Sequence, residues 1–205
     1  MKRIFKQYFR TIFISFLAMI ILFSCSQNNS NTEVASGKDV SKLAKDYQAL
    51  QDSVDSAWQT MIKADDQKIR DIKRLLEEVS YTKKYNLFLH DSLMQLQQKI
   101  AAKRYTQISM QNSNQIDSYD SATDSLVKGV FRLVKSTPSI DQYPTAINLM
   151  GEIIDADNQV VLYRVKYDNW AKTYNGFVQQ HKDKLAKKNI GNPMVEKYAL
   201  FTLNN

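Results

Sequence analysis

Cys25 is the only cysteine of the chain, so no disulfide can form within it and no cysteine set can hold a metal. The other groups able to do chemistry are charged residues on otherwise apolar helical stripes. Asp65 interrupts one stripe, and Asp157 and Arg164 interrupt another, seven residues apart. Such residues could form a ligand or ion site inside a bundle, or a paired polar layer that fixes helix register. The second reading fits better, because no histidine or further carboxylate falls at metal-site spacing beside them. An antiparallel register for the two stripes places Asp65 opposite residue 162, so Arg164 is expected to pair with Asp65 or Asp66, with Asp157 as the same-helix alternative. His90 and His181 have no nucleophile or ligand partner within helical reach. Tyr163, Tyr167 and Tyr174 read as packing residues whose hydroxyls reach the edge of a core. There is no glycine-rich phosphate loop and no HExxH-like helix. These observations lead to a non-enzymatic protein with no cofactor and no metal.

The setting of Cys25 gives it a role. Residues 1–10 carry Lys2, Arg3, Lys6 and Arg10 and no acid, and Thr11 to Phe23 has no charge at all. A positive end, a short apolar run and a small residue before the break are the layout of a signal peptide. Thirteen residues reach about 20 Å as helix, against about 30 Å of bilayer hydrocarbon. Leu22-Phe23-Ser24-Cys25 resembles a lipobox, in which the cysteine thiol is acylated and the chain is cut before it. The alternative is an uncleaved N-terminal helix with an incidental Cys25. Residues 1–24 are thus expected to be a lipoprotein signal peptide. The formal charge of +7 includes four basic residues from that segment, leaving +3 for the mature chain. A charge of +3 gives no case for a nucleic-acid partner.

Residues 25–38 are small and polar and are expected to be a flexible tether with a reach of roughly 20 Å. From residue 39 to 205 the apolar pattern is helical. Val40, Leu43, Tyr47, Leu50, Val54, Ala57, Met61, Asp65, Ile69, Ile72, Leu75 and Val79 are spaced by threes and fours, which puts them on one face. Residues 80–86 break the pattern. Leu89, Leu93, Leu96 and Ile100 resume it, with Ser92 and Gln95 at the spacing of a capping box. Residues 107–115 read as a connection. A third helix carries Ile116, Tyr119, Thr123, Leu126, Val130 and Leu133 and stops before Pro138. The last stripe runs from Ala146 through Ile153, Tyr167 and Tyr174 to Leu185, and Ile147, Ile154, Val161, Trp170 and Phe177 are expected to widen it. Tyr198 to Phe201 is expected to pack back onto the bundle. The fold expected is all-α, an elongated up-and-down antiparallel bundle of about four helices. Wide stripes favour packing within one chain over an intermolecular coiled coil.

Asp157-Asn158-Gln159-Val160, Arg164, Tyr167 and Tyr174-Asn175 resemble the last long helix of the LemA family, which reads Glu-Asn, an apolar residue, Arg, then Tyr-Asn pairs. Asp55-Ser56-Ala57-Trp58 is similar to that family's Ala-Ala-Trp segment, and Leu75, Leu76 and Val79 sit where it has further apolar residues. The resemblance runs from about Ala44 to Val178. Asp71-Ile72-Lys73-Arg74-Leu75 lacks the proline of the family's Leu-Ile-Pro-Asn-Leu segment. The family's Tyr-Pro falls either on Thr137-Pro138 or on Tyr143-Pro144. The resemblance implies a divergent, lipoprotein-type member: a bundle of about four helices anchored at a bacterial membrane, with no reaction attached.

The function expected from all this is a lipid-anchored envelope protein acting as an adaptor or scaffold. Its partners would be the membrane, through acyl chains on Cys25, and another envelope protein. Ser26 stands where an inner-membrane lipoprotein would carry Asp, and no acid precedes Glu33, so the periplasmic face of the outer membrane is the expected location. The rival reading is a carrier holding a small apolar or lipidic ligand between its helices, which an internal cavity above about 300 Å³ would favour.

Overall fold

The computed structural model describes residues 31–191 and 197–201, with side chains from residue 37 onward. Residues 1–24, expected to be a signal peptide, and Cys25 lie outside the described residues. Two compact units divide the chain, residues 1–42 and 43–205. Four α-helices and no strand are present among the described residues: α1 Asn31–Tyr81, α2 Leu87–Ile100, α3 Ser113–Ser136 and α4 Pro144–Lys187. The chain is an all-α helical bundle.

The ends of these helices follow local chemistry. α1 contains no proline, and its helical backbone extends back to Asn31, inside the stretch 25–38 expected as tether. Thr32 to Ala35 holds no residue that breaks a helix, so the backbone hydrogen bonds continue through it. Asn86 caps α2 by accepting from the Leu89 amide at 3.0 Å. The capping box expected at Ser92 is therefore absent; Ser92 lies within α2 and donates to the Phe88 carbonyl instead. α3 is capped by Asn112 and ends one residue before Thr137-Pro138. Pro144 opens α4, where the missing amide hydrogen costs nothing. Past α4, Gly191 has φ +71°, and a Cβ there would stand 2.5 Å from the Tyr47 hydroxyl. Only glycine fits that close approach.

Within the second unit the helices alternate in direction. α1 and α2 run antiparallel, since Gln97 bonds the Ile69 carbonyl and His90 contacts that of Leu76. α1 and α4 run antiparallel as well: Tyr47 meets Tyr174, Trp58 meets Tyr167, and Lys68 meets Asp157. The last of these contacts puts Asp65 opposite residue 160, two residues from the expected register. The core holds the apolar stripe of α1 with Ile153, Tyr167, Ala171 and Tyr174 from α4. Of the five residues expected to widen it on α4, only Phe177 packs against the core. Ile147, Ile154, Val161 and Trp170 are exposed, because α4 offers its neighbours only the face carrying Ala146, Ile153 and Tyr167.

Candidate functional site

One polar layer crosses this core, and its pairing differs from the expectation. Arg104 joins both acids of α1, its Nη2 standing 2.9 Å from Asp65 and its Nη1 2.7 Å from Asp66. Tyr119 of α3 also donates its hydroxyl to Asp65. Arg164 does not pair with Asp65, Asp66 or Asp157. Its guanidinium grips Asp120 of α3 with two bonds, of 2.7 and 2.6 Å, and donates to the Tyr105 hydroxyl at 3.1 Å. Asp157 is held by Lys68 at 3.1 Å, and the same ammonium lies 3.8 Å from Asp65. Asp65, Asp66, Asp157 and Arg164 do share one layer, but Lys68, Arg104 and Asp120 supply the partners.

The correction has a geometric cause. After α2 the chain makes a 3-10 turn at Ala101–Lys103 and then delivers Arg104 and Tyr105 between α1 and α3. Irregular backbone carries no periodicity, so nothing in the spacing marked these two residues. Asp120 sits at the margin of the α3 stripe, directly after Tyr119. A basic residue followed by an aromatic one inside an otherwise polar connection was the available signal.

Burial alone would lower the pKa of both arginines. For Arg104, bonding to Tyr119 and Asp66 with Asp65 nearby reverses the shift; for Arg164, Asp120 and Tyr105 do so. Both guanidinium groups are thus held protonated. Aromatic rings wall the layer on one side: Trp58, Tyr105, Tyr167 and Phe201 meet edge to face at 5.4–6.1 Å, and Phe201 lies 4.8 Å from the Arg164 guanidinium. The residues at the tail are clamped there. Tyr198 exchanges two 2.9 Å bonds with Asn175, and the Phe201 amide donates to Asp168 at 2.9 Å.

Burial is the main reason that the phenols of Tyr105, Tyr119, Tyr167, Tyr174 and Tyr198 are shifted upward. Asp65 adds to the rise at Tyr119, Tyr47 to that at Tyr174, and Asp55 to that at Tyr198, which reaches about 12. An unfolded phenol ionises near pH 10. The stability these protonated phenols contribute is complete below about pH 10 and is lost as pH rises through their folded values. The denaturant midpoint should therefore fall steadily above pH 10, with phenolate absorbance delayed for this group. Uniform phenolate appearance near pH 10 in the native protein would contradict it.

A cavity of about 200 Å³ adjoins the layer, lined by Asp65, Lys68, Arg104, Asp120, Asp157 and Arg164 among others. Met61, Ile62 and Val160 share the lining with these charges, and the volume is below that of an ordinary ligand pocket. A wider groove of about 520 Å³ lies between the segment 197–201 and residues at the start of α3, Ile116 and Asp117 among them. Among the described residues, no group of three His, Cys, Asp or Glu side chains is placed to hold a metal ion, and no helix is long and apolar enough to cross a membrane.

The outer face of α4 is the second feature. Ile147, Ile154 and Val161 recur every seven residues, and Leu162 and Val165 extend the row. All five are exposed, Val161 at 61% and Leu162 at 67%. No family model, curated protein or solved structure matches the chain.

Proposed function

We propose that the chain is a LemA-like, lipid-anchored, non-enzymatic scaffold of the bacterial envelope, which binds protein through the outer face of α4. The observation that carries the reading is the exposed row Ile147, Ile154, Val161, Leu162 and Val165. An exposed apolar row on one helix, interrupted at Gly151 and Asn158, has no role in its own core and fits a partner helix. The charged layer supports the same reading, because its cations and carboxylates are matched internally and serve to lock the helices. The carrier alternative receives less support, since the internal cavity at the layer is only about 200 Å³ and the space of about 520 Å³ beside residues 197–201 is a surface groove rather than a cavity between helices. The anchor rests on the positive end, apolar run and Ser24-Cys25 junction. Ser26 and the late first acid favour the periplasmic face of the outer membrane.

Two linked measurements test the reading. With p-benzoylphenylalanine in place of Val161, irradiation of intact cells should give a protein adduct in the membrane fraction. Cys25→Ala should abolish fatty-acid labelling and release the protein from membranes or leave an uncut precursor. Persistent labelling in Cys25→Ala overturns the anchor, and absence of any protein adduct from position 161 overturns the binding face.

A further inference from the structure

The charges flanking the exposed row say which protein would cover it. On the amino-terminal half of α4 the exposed charges are Glu152, Asp155 and Asp157, all acidic. On the following stretch they are Lys166 and Lys172, both basic. Asp155 and Lys166 lie eleven residues apart, about three helical turns, so they flank the apolar row on the same side. Neither has an ion-pair partner among the described residues. A helix whose acids lead and whose bases follow is complementary to itself when reversed. Resting on the reading of this face as protein-binding, we propose that its occupant is a second copy of the chain, packed antiparallel along α4 about a two-fold axis near residue 160.

That axis stacks Ile154 against Val165 of the other copy and brings Val161 and Leu162 to the centre. It sets Asp155 of each copy against Lys166 of its partner, so the pair forms twice, as an isologous interface requires. Parallel pairing would instead set acid against acid and base against base. The row from Ile147 to Val165 is about 27 Å long, so a single helix pair of this kind falls at the small end of protein interfaces. Confinement to one membrane surface raises the effective concentration that such a contact needs. The apolar positions also recur at seven, the spacing of a helix-on-helix seam, on a face that the rest of its own bundle leaves uncovered.

Charge exchange gives the decisive experiment, performed on the full chain in cells with two epitope tags and the photo-crosslinker at position 161. The unmodified pair should yield an adduct of doubled mass, with position 161 joined to residues 158–162 of the other copy. Asp155→Lys alone and Lys166→Asp alone should each lower that adduct by about tenfold, since every change acts twice in a two-fold dimer. Co-expressing one copy of each variant should restore it. The introduced lysine of one copy then meets the introduced aspartate of the other, while the unaltered Asp155 and Lys166 meet at the second contact. Thermal melts of both variants should match the parent, as both positions are exposed. A doubled adduct insensitive to both variants overturns the antiparallel pairing. An adduct with a different protein alone overturns self-association and leaves the protein-binding face standing. No protein adduct at all overturns both.

Discussion

Arg104→Met should lower the unfolding free energy by about 3–5 kcal/mol, a large share of the 5–15 kcal/mol typical of a domain. Asp65 is only 11% exposed, and loss of Arg104 leaves its carboxylate with the Tyr119 hydroxyl and a Lys68 ammonium 3.8 Å away. Neither can replace a guanidinium at 2.9 Å. The penalty is that of a stranded buried charge, so adding Asp65→Leu should recover part of it. Arg164→Met should cost less, because its partner Asp120 is 40% exposed and can turn to water. Lys128→Ala, which removes a fully surface pair with Asp124, should stay within about 0.5 kcal/mol. Urea denaturation followed by circular dichroism measures all four variants. An unchanged midpoint in Arg104→Met would show that the layer is solvated.

Tyr167→Ala is expected to be as damaging, at about 3–5 kcal/mol. The residue is fully buried, and its ring stands 5.4 Å from Trp58 and 5.7 Å from Phe201. Removing it opens a void between α1, α4 and the segment 197–201, and the rings on either side lose their edge-to-face partner. Tyr167→Phe keeps the ring and should retain most of the stability. The near-ultraviolet circular dichroism of Trp58 reports the loss of packing independently of the melt. A large loss in the phenylalanine variant would move the importance from the ring to the hydroxyl.

The helices were legible because their residues repeat. Tyr47 to Val79 and Ala146 to Leu185 keep one spacing across many turns, and proline and asparagine mark the breaks at Asn86, Pro138 and Pro144. The antiparallel register was legible to within two residues at the charged layer and to within six at Tyr47, which meets Tyr174, because two long stripes of like length can be laid side by side only in a few ways. What periodicity could not carry was the identity of the ion pairs. Lys68 lies beside its stripe rather than on it, Arg104 follows a 3-10 turn, and Asp120 sits at the margin of α3. A charge finds its partner through three-dimensional proximity, and irregular backbone brings residues together without leaving a spacing behind. The apolar row on α4 was misread for a related reason. Periodicity reports that a face is apolar, and says nothing of whether the cover comes from the same chain.

The clamp formed by residues 197–201 also has a bearing on the order in which the molecule can be completed. Synthesis proceeds from the amino terminus, so α1 through α4 all emerge before Tyr198 and Phe201 reach Asn175, Asp168 and the face of Arg164. Until then Tyr105 and Tyr167 lack one of their aromatic neighbours, and the apolar side of the charged layer stands open to water. A nascent chain of this sequence is therefore held short of its final packing by a segment that arrives late.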